Sequence, residues 1–145
     1  MAAPYDDVIL DHIRNARNYR VPAAANRQVA GSNPLCGDEL VLYLELDASG
    51  ITDIGYQCTC CGLSMASASV MTELVQGMSA SEAVLLLRQF TGKLGGAPPA
   101  ESAALDGGCR ALLDATVRFP SRARCVALPW STLQSALSRT GQSES

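Results

Sequence analysis

The stretch DELVLYLELDASGITDIGYQCT, residues 38–59, decides the fold. Leu40, Leu42, Leu44 and Leu46 alternate with Glu39 and Glu45, so residues 38–47 read as a strand with one apolar face. Ala48-Ser49-Gly50 turns the chain back, and residues 51–59 read as the antiparallel partner in a hairpin. A short third strand is predicted at 27–32, ahead of the break at Ser32-Asn33-Pro34.

Helical patterns flank this hairpin. Val8, Ile9, His12, Ile13 and Ala16 recur at helical spacing within 4–17, and Pro4, Asp6 and Asp7 suit a first turn. Residues 18–26 form a loop. Residues 62–78 are helix-compatible, with Gly77 weakening the end, and the run Ala66-Ser67-Ala68-Ser69 lets another backbone approach closely. Ser79 and Glu82 form a capping-box pattern that opens a helix to about Leu94. Residues 95–108, GGAPPAESAALDGG, read as a loop-like insert. A short helix is predicted at 109–117, a turn at Phe119-Pro120-Ser121-Arg122, and a last helix at 123–138 that Pro129 should kink or restart. Residues 140–145 read as a frayed tail. The expected class is α+β: a small antiparallel three-stranded sheet packed against about five helices, with 1–145 forming a single domain.

Composition narrows the function. Hydrophobic content of 48% and charged content of 17% suit a compact fold. The net charge of −3 and the scattered basic residues argue against nucleic acid as a partner. No apolar run is long enough to span a bilayer, so no membrane partner is expected. The N-terminus lacks the basic and long apolar regions of an export signal, which makes the cytoplasm the expected compartment. Thiols stay reduced there, so six cysteines point to metal or catalytic sulfur rather than to disulfide staples.

Three structural junctions carry candidate ligands. Cys36 and Asp38 flank Gly37 as the strand begins, and a tight turn there lets a thiolate and a carboxylate face one point. Cys61 ends the run Cys58-Thr59-Cys60-Cys61 at the start of a helix, and antiparallel pairing brings that end of the hairpin beside Cys36. Cys125 opens the last helix. Three thiolates and one carboxylate make a complete tetrahedral set for zinc. The plainer alternative for each cysteine is a small buried hydrophobe, an alternative that stays open for Cys58, Cys60 and Cys109. Asp38 could instead accept backbone N–H bonds at a strand start. His12 reads as a packed or hydrogen-bonded side chain, and Trp130 as core or partner contact. Arg122 and Arg124 are either solvated, or offset the charge of the site, or meet a partner.

VILDHIRNARNYR, SNPLCGDEL, CGLSMASASVM and FPSRARCVALPW together resemble the iron–sulfur cluster assembly family that includes the U-type scaffold proteins, IscU and the N-terminal part of NifU, and the zinc-bound sulfur acceptor SufU. Scaffold-type members carry a histidine immediately before the third motif cysteine, where this chain has Arg124, and a shorter stretch between the second and third cysteines. Both departures, with the insert at 95–108, favour the SufU branch. Relatives have glycines where this chain has Cys58 and Cys60, so only Cys61 of the three inherits a ligand role. The added thiols are tolerated small residues, alternative metal ligands or resolving thiols.

The resemblance implies Zn2+ held by Cys36, Asp38, Cys61 and Cys125, with Cys36 as the catalytic thiol. It further implies a zinc-dependent sulfurtransferase that accepts persulfide sulfur from a SufS-type, pyridoxal-phosphate cysteine desulfurase, with a downstream iron–sulfur scaffold as recipient. The alternative is a scaffold that assembles and transfers a [2Fe-2S] cluster on the same ligands.

Overall fold

Leucines at every second position of residues 38–47 demand a sheet with one buried face, and a three-stranded antiparallel sheet in the order β1-β2-β3 provides it. The computed structural model describes residues 7–33, 37–94 and 107–138. Its strands are β1 (Arg27–Asn33), β2 (Asp38–Asp47) and β3 (Gly50–Thr59). Five α-helices occur among the described residues: α1 (Asp7–Arg14), α2 (Gly62–Val75), α3 (Ala80–Gly92), α4 (Gly107–Arg118) and α5 (Ala123–Ser138), with a 3-10 turn at Pro120–Arg122. None is long and apolar enough to cross a membrane.

Register sets the site. Asn33 pairs with Asp38 across β1 and β2, while Glu39 pairs with Thr59 and Leu40 with Cys58 across β2 and β3. The start of β2 therefore lies beside the end of β3, as the hairpin pattern requires. Leu40, Leu42 and Leu44 are buried, and a bulge between Glu45 and Leu46 leaves Leu46 only partly so.

Helix α2 is the centre of the helical layer. Its small side chains let α1 and α5 approach, and its hydroxyls fasten both neighbours. Towards α5, the Ser67 hydroxyl donates to the Val126 carbonyl at 2.6 Å and accepts from the Trp130 indole at 2.7 Å. Towards α1, Ser69 Oγ lies 2.6 Å from His12 Nδ1 and accepts the Arg17 amide at 2.9 Å. His12 is thus the packed, hydrogen-bonded residue expected. Trp130 is core rather than surface, fully buried and stacked on Phe90 with ring centroids 3.8 Å apart. Burying side chains of this size stabilises by about 1.5–3 kcal/mol each.

The loop before β1 is tied to the sheet edge. The Tyr56 amide donates to the Asn18 carbonyl at 3.1 Å, and Arg20 forms an ion pair with Asp53 at 2.6 Å. That guanidinium holds the Asp53 carboxyl below the usual carboxylate range. A pKa depressed in the folded state contributes stability above the unfolded value, and the contribution fades as pH falls through the folded one.

Several expectations need adjustment. The helix predicted over 62–78 stops at Val75, because the Gly77 amide and the Met78 carbonyl instead bond the backbone of Ile51 at 2.7 and 2.9 Å. The predicted capping box is present, with the Glu82 amide donating to Ser79 Oγ at 3.2 Å and the Ser79 amide to Glu82 at 3.0 Å. Helix α4 starts at Gly107, two residues inside the predicted insert. Residues 95–106 of that insert, the predicted helix start at 4–6 and the tail at 140–145 lie outside the described residues. Pro129 does not restart α5, which is continuous from Ala123 to Ser138. The Cys125 carbonyl, four residues before it, accepts the Ser64 hydroxyl at 3.0 Å.

Helix α5 lies against β1 at Gly31, where a Cβ would collide with the Thr132 hydroxyl and press on Leu128. Gly31→Ala should therefore lower stability by about 1–3 kcal/mol, the usual cost of overpacking. Adding Thr132→Ala should restore part of that loss. Thermal melts of the single and double variants check this, and an unchanged melting temperature for Gly31→Ala would contradict the close approach.

Candidate metal centre

Three elements each deliver one ligand-bearing residue to the same place. Asp38 opens β2 after a turn in which Gly37 adopts φ +74°, a left-handed conformation that glycine tolerates, and donates its amide to Asn33 at 2.9 Å. Cys61 joins β3 to α2 and caps the helix, with its sulfur accepting the Ser64 amide at 3.5 Å. Cys125 lies in the first turn of α5 and is fully buried. One carboxylate oxygen of Asp38 and the sulfurs of Cys61 and Cys125 all lie within 4.8 Å of one another.

A clasp of hydrogen bonds holds the three together. The Cys61 amide donates to Asp38 Oδ1 at 3.1 Å. The Ser64 hydroxyl donates towards Asp38 Oδ2 at 2.9 Å and towards the Cys125 carbonyl at 3.0 Å. Pro129 explains the second contact. In a regular helix the Cys125 carbonyl would accept the amide four residues on, but proline has none. Ser64 satisfies that carbonyl, so α5 continues through the proline and Cys125 is fixed against α2.

Asp38 is only 3% exposed, and its two hydrogen bonds above come from neutral donors. Desolvating a carboxylate without a cation is costly. A divalent cation would offset that cost, and two sulfurs with one carboxylate oxygen suit zinc, which takes both ligand types. The residues present therefore fit the metal.

The other sequence candidates fall elsewhere. Cys36 lies outside the described residues. Cys109 is a fully buried member of the hydrophobic core, in keeping with the plainer alternative. Arg122 and Arg124 are exposed on either side of Ala123, close to Cys125 in sequence. Cys58 and Cys60 correct the expectation of reduced thiols: they are joined by a disulfide, their Cα atoms 5.6 Å apart. Residues two apart at a strand end project to the same side, which brings the two thiols together whatever the compartment. Ser64 was not singled out from the sequence. Its signal was present, because it stands three residues after Cys61 at a helix start, where a capping partner belongs.

The family model described as the NifU-like N terminal domain matches residues 4–126. The zinc-dependent sulfurtransferase SufU of Bacillus subtilis (strain 168) is 32% identical over 135 residues, covering 93% of this chain and 90% of that protein. The iron–sulfur cluster assembly scaffold protein IscU of Streptococcus pyogenes serotype M1 is 31% identical over 141 residues, covering 97% of this chain and 86% of its own. Among solved structures, FiSufU of Fervidobacterium islandicum AW-1 superposes with a TM-score of 0.80 at 28% identity, covering 92% of this chain and 96% of the other.

Ser64→Ala should leave a buried carbonyl and a carboxylate oxygen each short of a donor. The expected loss of stability is about 1–3 kcal/mol. Zinc affinity should fall by roughly 10–100-fold, as when partners that orient metal ligands are removed. Chelator competition measures the second effect, and full affinity in Ser64→Ala would show that the clasp does not position the ligands.

Proposed function

The chain belongs to the NifU-like N-terminal domain family of iron–sulfur cluster assembly proteins, and from that premise we propose that it is a zinc-dependent sulfurtransferase. The observation that carries this reading is the convergence of Asp38, Cys61 and Cys125 on one point, with Asp38 and Cys125 buried and Cys61 partly exposed. Its substrate is the terminal sulfur of a persulfide on a SufS-type cysteine desulfurase, whose pyridoxal phosphate belongs to that partner. The recipient is a downstream iron–sulfur scaffold.

Cys36, with Asp38, Cys61 and Cys125, would hold the zinc. Bound zinc would supply a positive charge without redox chemistry, which favours deprotonated thiols and leaves a persulfide intact. Cys36 is the sulfur acceptor. Its thiolate bonds to the outer sulfur of the desulfurase persulfide as that S–S bond breaks, and the electron pair leaves on the desulfurase cysteine. The product is a persulfide on Cys36. Asp38 is kept in register by the Cys61 amide and the Ser64 hydroxyl. Cys61 and Cys125 are rooted in helix starts, whereas Cys36 is followed by Gly37, whose left-handed conformation marks a turn. Arg122 and Arg124 give the rim beside Cys125 a positive charge suited to an acidic face on the desulfurase.

A second reading, a scaffold that assembles and transfers a [2Fe-2S] cluster on the same ligands, is supported by the likeness to IscU. Arg124, standing immediately before Cys125, favours the zinc reading through the branch pattern described above. Metal content and colour of the purified protein separate the two: about one zinc per chain and no colour in one case, iron with sulfide and a brown colour in the other.

The direct test is a desulfurase assay with and without the protein. Turnover should rise when the protein is added, and mass spectrometry should find extra sulfur on Cys36. Cys36→Ala should abolish the activation while leaving the fold intact, and undiminished activation would remove Cys36 from the transfer step. Because protons compete with metal for thiolates, zinc affinity should also fall as pH drops, and stripping the metal should lower the melting temperature.

A further inference from the structure

Adjacent cysteines at the end of the hairpin serve two different places. The Cys61 amide is bound by Asp38, and its sulfur belongs with Cys125. Cys60 turns instead to Cys58, and their sulfurs are bonded across a Cα separation of 5.6 Å, within the range that a disulfide spans. Both residues are partly exposed. A cleft of about 210 Å³, lined by Tyr19, Glu39, Val41, Gln57, Cys58 and Thr59, reaches the Cys58 side of the pair.

The backbone at Cys58 has anchors of its own. It pairs with Leu40 of β2. The Tyr19 hydroxyl donates to the Cys58 carbonyl at 3.1 Å and accepts the Cys58 amide at 3.4 Å. The Cys58 sulfur also rests 3.9 Å from the Met65 sulfur. Opening the disulfide would therefore leave Cys58 in place, with its thiol poised to close again.

We propose that Cys58 and Cys60 form a reversible dithiol–disulfide couple, separate from the metal ligands, that exchanges with small-molecule thiols and disulfides. Closure is a two-step exchange. One cysteine thiolate attacks a small disulfide and expels one thiol, leaving a mixed disulfide. The second cysteine thiolate attacks that mixed bond and expels the other thiol. Two electrons pass from the pair to the reagent, and the two cysteine protons end on the released thiols. A dithiol reductant reverses both steps. The oxidised couple withholds two sulfurs that would otherwise compete beside Cys61, and so keeps the metal set to its own ligands. The couple stands independently of the sulfur-transfer reading, since its readout is thiol state rather than sulfur delivery.

The test uses the zinc-loaded full chain equilibrated in buffers of oxidised and reduced glutathione, quenched in acid, alkylated and mapped by mass spectrometry. Cys58 and Cys60 should lose their labels together in oxidising buffer and regain them with dithiothreitol, while zinc per chain stays constant. In Cys58→Ser, Cys60 should instead retain glutathione, having no partner to expel it. The double variant Cys58→Ser/Cys60→Ser should bind as much zinc as the wild type and hold it unchanged across the same buffers. Stable glutathione adducts on the wild-type pair, a disulfide that includes Cys61, or zinc lost from the double variant would each overturn the proposal.

Discussion

One hydroxyl proton ties the site to the fold. Ser64 Oγ sits between the Asp38 carboxylate and the Cys125 carbonyl, so the start of β2, the start of α2 and the first turn of α5 meet at one atom. The arrangement depends on Pro129, which removes the amide that would otherwise occupy that carbonyl. A residue that ordinarily breaks a helix here directs the helix to its partner. The local loss of a helical hydrogen bond is offset by a buried one that also fixes Cys125 beside Asp38.

The same logic runs along α2. A helix buried on nearly every side has little polar surface to spare, yet it carries Ser64, Ser67, Ser69 and Thr72 in buried positions. Each reaches a specific partner: Ser64 and Ser67 on α5, Ser69 on His12 and Arg17, and Thr72 on Asn18 at 3.1 Å. Buried hydroxyls are costly when unmade and modest when made. Their value is directional, because they fix which turn of each neighbour faces α2. That placement decides whether Cys125 reaches Asp38 and Cys61, and the wider hydrophobic core could not specify it alone.

Local pattern and tertiary consequence were not equally legible in the sequence. The leucine alternation of β2, the turn at Ala48-Ser49-Gly50 and the Ser79–Glu82 capping box are local, and each stands where the residues place it. Hairpin register, which is arithmetic along two strands, also sets the start of β2 beside the end of β3, the junction where the sequence places Cys61 next to Cys36. That α5 runs on through Pro129 depends on a hydroxyl 65 positions earlier in the chain, Ser64, which no periodicity connects to it. The capping place of Ser64 beside Cys61 was legible, but its reach to Cys125 was hidden for the same reason. For Cys58 and Cys60, neither compartment nor likeness to glycine-bearing relatives reports on the distance between two side chains at a strand end.

In the proposed zinc protein, distant segments build one mixed sulfur–oxygen site around Asp38. X-ray absorption at the zinc edge tests it most directly, since sulfur and oxygen neighbours differ in distance and scattering. The account predicts about three sulfurs near 2.3 Å and one oxygen at roughly 2.0–2.2 Å, with the oxygen lost or replaced in Asp38→Ala. An all-sulfur shell in the wild-type protein, with Cys58 or Cys60 drawn in as a ligand, would contradict it.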